Sequence, residues 1–171
     1  MKKYELTAEF IEKWGKKLFR IKALISFGSV EAGELGGYVE KEDNLAQNGD
    51  AWVCDDAWVY GNARVYGNAR VYGNARVCGN ARVCGDADYL LIGRIGSRFS
   101  FTTFFKNKDK GITVSCGCFL GTIAEFRAKV TDTHGNNKHA KMYNLAADMA
   151  ELQILGEEHF DKLNTNKSEP F

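Results

Sequence analysis

Proline is almost absent from this chain, at 1 residue in 171, whereas glycine is plentiful at 18. Proline interrupts strand pairing and glycine permits sharp turns, so this balance favours short strands joined by turns and not a flexible linker. No apolar run approaches the roughly 18 residues of a membrane-spanning helix, and the opening MKKYELTAEFIEKWGKK has no apolar centre. We therefore expect a protein that is neither exported nor membrane-inserted and that stays in the cytoplasm.

Excess charge of one sign is also lacking. The chain has 23 Lys and Arg against 22 Asp and Glu, a formal net charge of +1, which argues against bulk nucleic-acid binding. Hydrophobic residues make up 44%, enough for a folded core. A length of 171 residues allows one domain, or a small domain with an appendage.

The cysteines lack the spacing of a metal site. Their number is odd and no CxxC pair occurs, so we interpret them as reduced thiols. The five are Cys54, Cys78, Cys84, Cys116 and Cys118.

What the sequence does contain is a strict repeat. Residues 51–86 read AWVCDD, AWVYGN, ARVYGN, ARVYGN, ARVCGN and ARVCGD, six hexads without an insertion. In an extended segment Ala63 and Val65 share one face and Arg64 takes the other, while Gly67 and Asn68 suit a turn. The repeat thus predicts short strands with alanine and valine inward. A short stack of such strands would leave open strand edges, so the flanks should act as caps, or the chain should oligomerise.

Residues 1–50 are predicted to form an N-terminal cap and an irregular first coil. Thr7, followed by Phe10, Ile11 and Trp14 at helical spacing, predicts a short helix, and the LFRIKALISF segment after it predicts a strand. Within the first coil, Leu45 falls on the alanine position of the repeat.

The repeat region is taken as 51–93, and residues 94–171 are predicted to form an α+β cap. Two strands, at 98–106 and 111–119, flank an NKDKG turn. Thr122 and Glu125 form a capping box for a helix that ends at Gly135, and a second helix covers roughly 138–155. The predicted cap is therefore ββαα.

The hexads resemble the hexapeptide repeat of left-handed parallel β-helices, which are trimeric in many relatives. That resemblance implies a mainly β fold: a short left-handed parallel β-helix between an N-terminal helix/strand cap and the C-terminal cap. It also implies that residues 18 apart stack. The expected stacks are Val53 on Val71, Val59 on Val77, Val65 on Val83, Trp52 on Arg70 and Trp58 on Arg76. The last two would be exposed cation–π pairs.

Enzymes of that family use histidines that this repeat lacks. Acyltransferases carry a histidine base at the edge of the helix, and γ-class carbonic anhydrases hold zinc with three histidines. Here His134, His139 and His159 all follow the repeat, and the first two have no third ligand at the family's position. Phosphate-loop and dinucleotide motifs are missing, and Cys116 and Cys118 have no histidine nearby in sequence. The sequence predicts no catalytic residues, no metal and no cofactor, and it favours a protein that is not an enzyme.

One stretch departs from the average charge. Residues 93–111 carry five cations against Asp109 alone, a local charge of +4, interleaved with phenylalanines. Arginine forks, glycine amides and a serine hydroxyl suit a phosphate. The candidate ligand-binding residues are Arg94, Ser97, Arg98, Lys106, Lys108 and Lys110.

The segments GGYVEKE, NARVYG and CGCF together resemble hexapeptide-repeat proteins of phages and prophages. This resemblance implies a phage protein in a bacterial cytoplasm. We expect a non-catalytic, homotrimeric binding protein that captures a host protein or a small phosphate-bearing ligand of nucleotide type and so counters host defence. Two alternatives remain open: a coenzyme A-dependent acyltransferase-like enzyme whose base would be one of the three histidines after the repeat, and a structural or assembly protein.

Overall fold

The computed structural model describes residues 1–165, and the chain divides into two compact units. The first is Met1–Asp88 and the second begins at Tyr89. The second unit therefore begins five residues before position 94, where the C-terminal cap was predicted to begin. No helix within residues 1–165 is long and apolar enough to span a membrane.

The first unit opens with an antiparallel hairpin. Strand β1 (Tyr4–Lys13) pairs with β2 (Lys16–Ala23), which pairs with β3 (Leu35–Val39). The predicted N-terminal helix is therefore wrong. Trp14 and Gly15 have φ of 50° and 72°, as a two-residue hairpin turn requires, and pairing with β2 overrides the helical spacing of the apolar residues.

The repeat forms six two-residue strands, whose core positions are the predicted ones. They are β4 (Trp52–Val53), β5 (Trp58–Val59), β6 (Arg64–Val65), β7 (Arg70–Val71), β8 (Arg76–Val77) and β9 (Arg82–Val83). Parallel pairing joins β4 to β7, β5 to β8 and β6 to β9, which confirms the predicted 18-residue stacking of the valines. These valines and the alanines of the same hexads are at most 1% exposed.

Glycines make most of the turns between the strands. Gly61, Gly67, Gly73 and Gly79 have φ between 63° and 69°, a left-handed conformation that glycine adopts without steric cost. Asp55 takes the same role in the first hexad, at a φ of 51°.

The segment before the repeat pairs with the repeat at a spacing two residues longer than the 18 residues that separate paired strands within it. Val39 pairs with Val59 and Leu45 with Val65, a spacing of 20 residues and not 18. Leu45 therefore occupies the valine position, and its predicted alanine register is wrong. The extra residues lie between Leu45 and Trp52, after a short 3-10 helix at Glu42–Asn44.

The aromatic stacks differ from one another. Arg76 lies over the Trp58 ring, 4.7 Å from its centroid, so the predicted pair forms, although both residues are partly buried and not exposed. Trp52 does pair with Arg70 in register, but its side chain is buried against Tyr4 and Phe27 and is not exposed.

The second unit is an antiparallel sheet with helices. Its strands, in sheet order, are β10 (Tyr89–Ile95), β11 (Ser100–Lys106), β12 (Ile112–Cys116) and β13 (Phe119–Thr122). Helices α1 (Ile123–His134), α2 (Lys138–Leu155) and α3 (Glu157–Thr165) follow. The predicted ββαα arrangement is incomplete, since the unit has four strands and three helices.

A turn at Gly117 explains one of the two additional strands, β13. Gly117, with a φ of 61°, splits the predicted strand at 111–119 into β12 and β13. The Thr122–Glu125 capping box is confirmed, and so is Gly135 as the residue that ends α1. The core of this unit lies between the sheet and helices α1 and α2, around Phe104, Val114 and Phe126.

Candidate functional site

The six predicted ligand-binding residues lie in two groups, which the structure does not bring together. Arg94 lies near the end of β10, Ser97 and Arg98 lie in the turn between β10 and β11, and all three are exposed. Lys106, Lys108 and Lys110 lie at the turn between β11 and β12, at the other end of β11. A strand rises about 3.4 Å per residue, so roughly 20 Å of strand separates the two turns.

Two of the four phenylalanines in this stretch belong to the core of the second unit. Phe104 and Phe105 are fully buried in the sheet, whereas Phe99, at the first turn, is 71% exposed. The basic, phenylalanine-containing stretch 93–111 thus forms two separate basic turns, joined by a strand that is largely buried.

Close packing fixes the first turn against helix α2. Gly96 has a φ of 75°, and a Cβ atom at this position would overlap the Tyr143 hydroxyl group. The Arg98 guanidinium lies against Gly117, where a Cβ atom would be 3.4 Å from an Arg98 Nη atom. Glycine at position 96 therefore lets Tyr143 approach the β10–β11 turn, while Arg98 lies in ordinary contact with the turn that links β12 to β13.

Arg98 lines a cavity of about 120 Å³ between this turn and helix α1. Its polar lining comes from Arg98, Cys118, Lys129, Thr133, His134 and Tyr143, and its apolar lining from Cys116, Phe119, Phe126 and Val130. None of these residues is acidic, so the cationic side chains of Arg98 and Lys129 face no carboxylate in the lining.

A buried polar group lies beside the cavity. The Thr102 hydroxyl donates to the Cys116 thiol at 3.2 Å, and Cys116 also interacts with the Tyr143 hydroxyl. Burial raises the pKa of Tyr143, the neighbouring Cys116 raises it further, and the positive charge of Arg98 acts in the opposite direction. Tyr143 therefore stays a neutral phenol that can donate a hydrogen bond.

Aromatic rings hold the α1 and α2 side of the cavity. The His134 ring stacks on Tyr143 at a centroid distance of 5.8 Å, and Phe126 meets Tyr143 edge to face at 5.6 Å. The His139 ring lies 5.8 Å from that of His134, and its Nδ1 is buried without a hydrogen-bond partner among the described residues. Within residues 1–165 no group of three metal-ligating side chains converges.

Sequence reasoning found Arg98 but missed Lys129, Thr133 and Tyr143. Lys129 and Thr133 are four residues apart on α1, as are Val130 and His134, so one face of this helix supplies all four. That spacing was visible in the sequence. The approach of this face of α1 to Arg98, which lies about 30 residues earlier in the chain, depends on the pairing of β11 with β12.

A second cavity lies in the first unit. It has a volume of about 520 Å³ and is lined by Arg64 and Arg82 from adjacent strands and by Glu42 and Asp43. Its charges are of both signs, so it shows no preference for an anion.

Comparison with known families identifies the repeat. A model described as the YdcK beta solenoid repeat matches residues 57–73 and 63–78. The chain carries a β-solenoid repeat. The matched residues lie within the parallel strand stacks of the first unit, from β5 to β8, so the match and the observed pairing agree. No curated protein matches the chain.

Proposed function

We propose that the protein is a non-catalytic binding protein that holds the phosphate group of a small ligand in the Arg98 cavity. The observation that carries this proposal is a lining with two cationic side chains, Arg98 and Lys129, and no carboxylate. A guanidinium binds phosphate through two parallel hydrogen bonds, and an ammonium adds a point charge.

The cavity volume limits what part of a ligand can enter. Sites for drug-sized molecules have volumes of roughly 300–1,000 Å³, whereas this cavity has about 120 Å³. It therefore suits a phosphate head group, with the rest of a nucleotide-type ligand outside. Ser97 is exposed on the same turn as Arg98, and Arg94 is exposed near the end of β10, so both are available to that outer part. The three lysines at the far turn are not needed.

The absence of catalysis is part of the proposal. The Cys116 thiol is buried and accepts a bond from Thr102, and the His134 ring packs flat on Tyr143. These contacts favour structural roles for both groups over those of nucleophile and base.

Four further features belong to the proposal and rest on resemblance. They are a left-handed hexapeptide β-helix, a homotrimer, a phage or prophage origin, and residence in the cytoplasm of a bacterial host. The 18-residue pairing supports the first. A ligand that marks host defence, or a host protein, would fit the phage setting.

Ligand release and calorimetry test the binding proposal. Small molecules released from the purified protein are identified by mass spectrometry, and phosphate and a nucleotide panel are then titrated into the protein. We expect Arg98→Ala and Lys129→Ala each to weaken binding about 10- to 100-fold, since a charged hydrogen bond contributes about 1.5–3 kcal/mol.

Lys108→Ala, at the far turn, is the matched control and should bind as the unaltered protein does. The proposal fails if no phosphate-bearing compound binds, or if Arg98→Ala binds normally. Recovery of a host protein whose binding survives Arg98→Ala would instead place the function elsewhere on the chain.

A further inference from the structure

Helix α2 has apolar residues on two opposite sides, and only one side is buried. Its buried side packs in the core of the second unit through residues such as Tyr143, Ala147 and Ala150. The other side forms an apolar stripe of Met142, Leu145, Met149 and Leu152, which are 39%, 63%, 57% and 44% exposed. Single exposed apolar residues are common, but four in a row on one helix mark an interaction surface.

The spacing of the apolar stripe matches a helix-pairing seam. Its residues are separated by three, four and three positions, the a and d positions of a heptad. A stripe of this kind packs well against another of the same spacing. It is therefore complementary to itself, as an interface between identical chains with two-fold symmetry requires.

Charges at the two ends of the stripe decide its orientation. Lys138 and Lys141 lie at the start of α2, and Glu157 and Glu158 follow its end, all four exposed. None of them has an ion-pair partner within residues 1–165. Two helices side by side in the same direction would bring like charges together, whereas opposite directions place lysines beside glutamates.

We propose that the apolar stripe of α2 binds the same stripe of a second copy of this chain, with the two helices antiparallel about a two-fold axis. The axis lies level with Ala147. Leu145 of one copy then meets Met149 of the other, and Met142 meets Leu152. Lys138 falls opposite Gly156, next to Glu157.

Molar mass measured by analytical ultracentrifugation over a range of protein concentrations tests the contact. The full chain is expected to lose this contact in Leu145→Asp, so that the variant has half the molar mass of the unaltered protein. For the proposed homotrimer, two trimers joined through their α2 stripes would separate into single trimers, with the same ratio of masses. The apparent dissociation constant should rise at least tenfold, because two-fold symmetry places the new charge in the interface twice.

Ala128→Asp adds the same charge at an exposed site of helix α1 and is the matched control. Circular dichroism checks that both variants remain folded. The proposal is overturned if Leu145→Asp leaves the mass unchanged, or if Ala128→Asp halves it equally.

A charge exchange tests the antiparallel orientation. Lys138→Glu should weaken association, and adding Glu157→Lys should restore it, since each contact regains opposite charges. Both effects should shrink at high salt. If the double variant associates no better than Lys138→Glu alone, the antiparallel arrangement is wrong.

Discussion

Lys3 is a buried cation in the first unit, 2% exposed. Its ammonium donates to the carbonyl oxygen of Ala51 at 2.8 Å and to that of Gly49 at 3.3 Å, and lies 4.8 Å from the centroid of the Phe27 ring. These contacts attach the residue just before β1 to the segment 49–51, where the repeat begins. Burial lowers the pKa of Lys3 to about 8, and the nearby Asp50 opposes the shift.

The pKa of Lys3 predicts how stability changes with pH. Its pKa is about 8 in the folded chain and 10.5 when unperturbed. Between these values the unfolded state binds the proton and the folded state does not, so the free energy of unfolding rises with pH. The full rise across this window is roughly 3 kcal/mol, at 1.36 kcal/mol per pKa unit.

Urea denaturation at pH 8 and pH 9.5 of the unaltered protein and of Lys3→Met measures this effect. The difference in stability between the two proteins should shift in favour of the unaltered one as the pH rises. Other titrating groups, such as Tyr4, whose pKa burial raises, affect both proteins. An identical pH dependence in both proteins would contradict the assignment to Lys3.

At the scale of elements, the register of Leu45 shows how the first layer joins the solenoid. Leu45 is 1% exposed and pairs with Val65, so it fills the position that valine holds in later layers. The neighbouring Asn44 is buried, and its side-chain amide donates to the carbonyl oxygens of Gly61 and Ala63. These two hydrogen bonds attach the short 3-10 helix to the segment that precedes β6.

This register predicts that two substitutions of Leu45 lower the free energy of unfolding by different amounts. Leu45→Ala should lower the free energy of unfolding by about 2–5 kcal/mol, as buried leucine truncations do. Leu45→Val restores the residue of the repeat and should cost only about 1 kcal/mol, the loss of one methylene. Denaturant titration measures both. Equal and small effects would indicate that Leu45 is not part of the core.

At the scale of the whole molecule, binding at the proposed phosphate site should stabilise the folded chain. A ligand that binds only the folded state adds about 2.7 kcal/mol at a concentration 100 times its dissociation constant. Phosphate should therefore slow amide hydrogen exchange in the second unit, particularly in β12 and α1. Hydrogen exchange is followed with phosphate and with chloride at equal ionic strength.

The Arg98→Ala variant separates specific binding from the general effect of salt on stability. Phosphate also stabilises proteins by exclusion from their surface, and that effect should be the same in the variant. An equal phosphate effect in Arg98→Ala and the unaltered protein would contradict binding at this cavity.

Several parts of the fold could be predicted because their signals are local. The hexads give the strand positions, the inward valines and the turn glycines, and the Thr122–Glu125 box marks the start of α1. The N-terminal hairpin could not be predicted from apolar spacing alone. Phe10, Ile11 and Trp14 fit a helix face, and only the pairing of β1 with β2 makes them part of a sheet.

The candidate site was predicted in part for the same reason. The sequence gives the basic stretch, but it does not show that β11 holds its two turns apart. Lys129 and Tyr143 join Arg98 only because strands β10 to β13 and helices α1 and α2 fold together. Ligand binding by the three lysines of the far turn stays a prediction, and none of these lysines lines this cavity.

The sequence by itself determined the repeat of the solenoid, its inward residues and its turn positions, because turn chemistry and a period of two act between near neighbours. The 18-residue pairing was expected from the resemblance to left-handed β-helices and not from the periodicity. Only the tertiary structure decided the N-terminal hairpin, the register of Leu45 and the cavity beside Arg98. Each of these depends on which distant segments pair, and the free energy of that pairing is shared among residues that no local pattern connects.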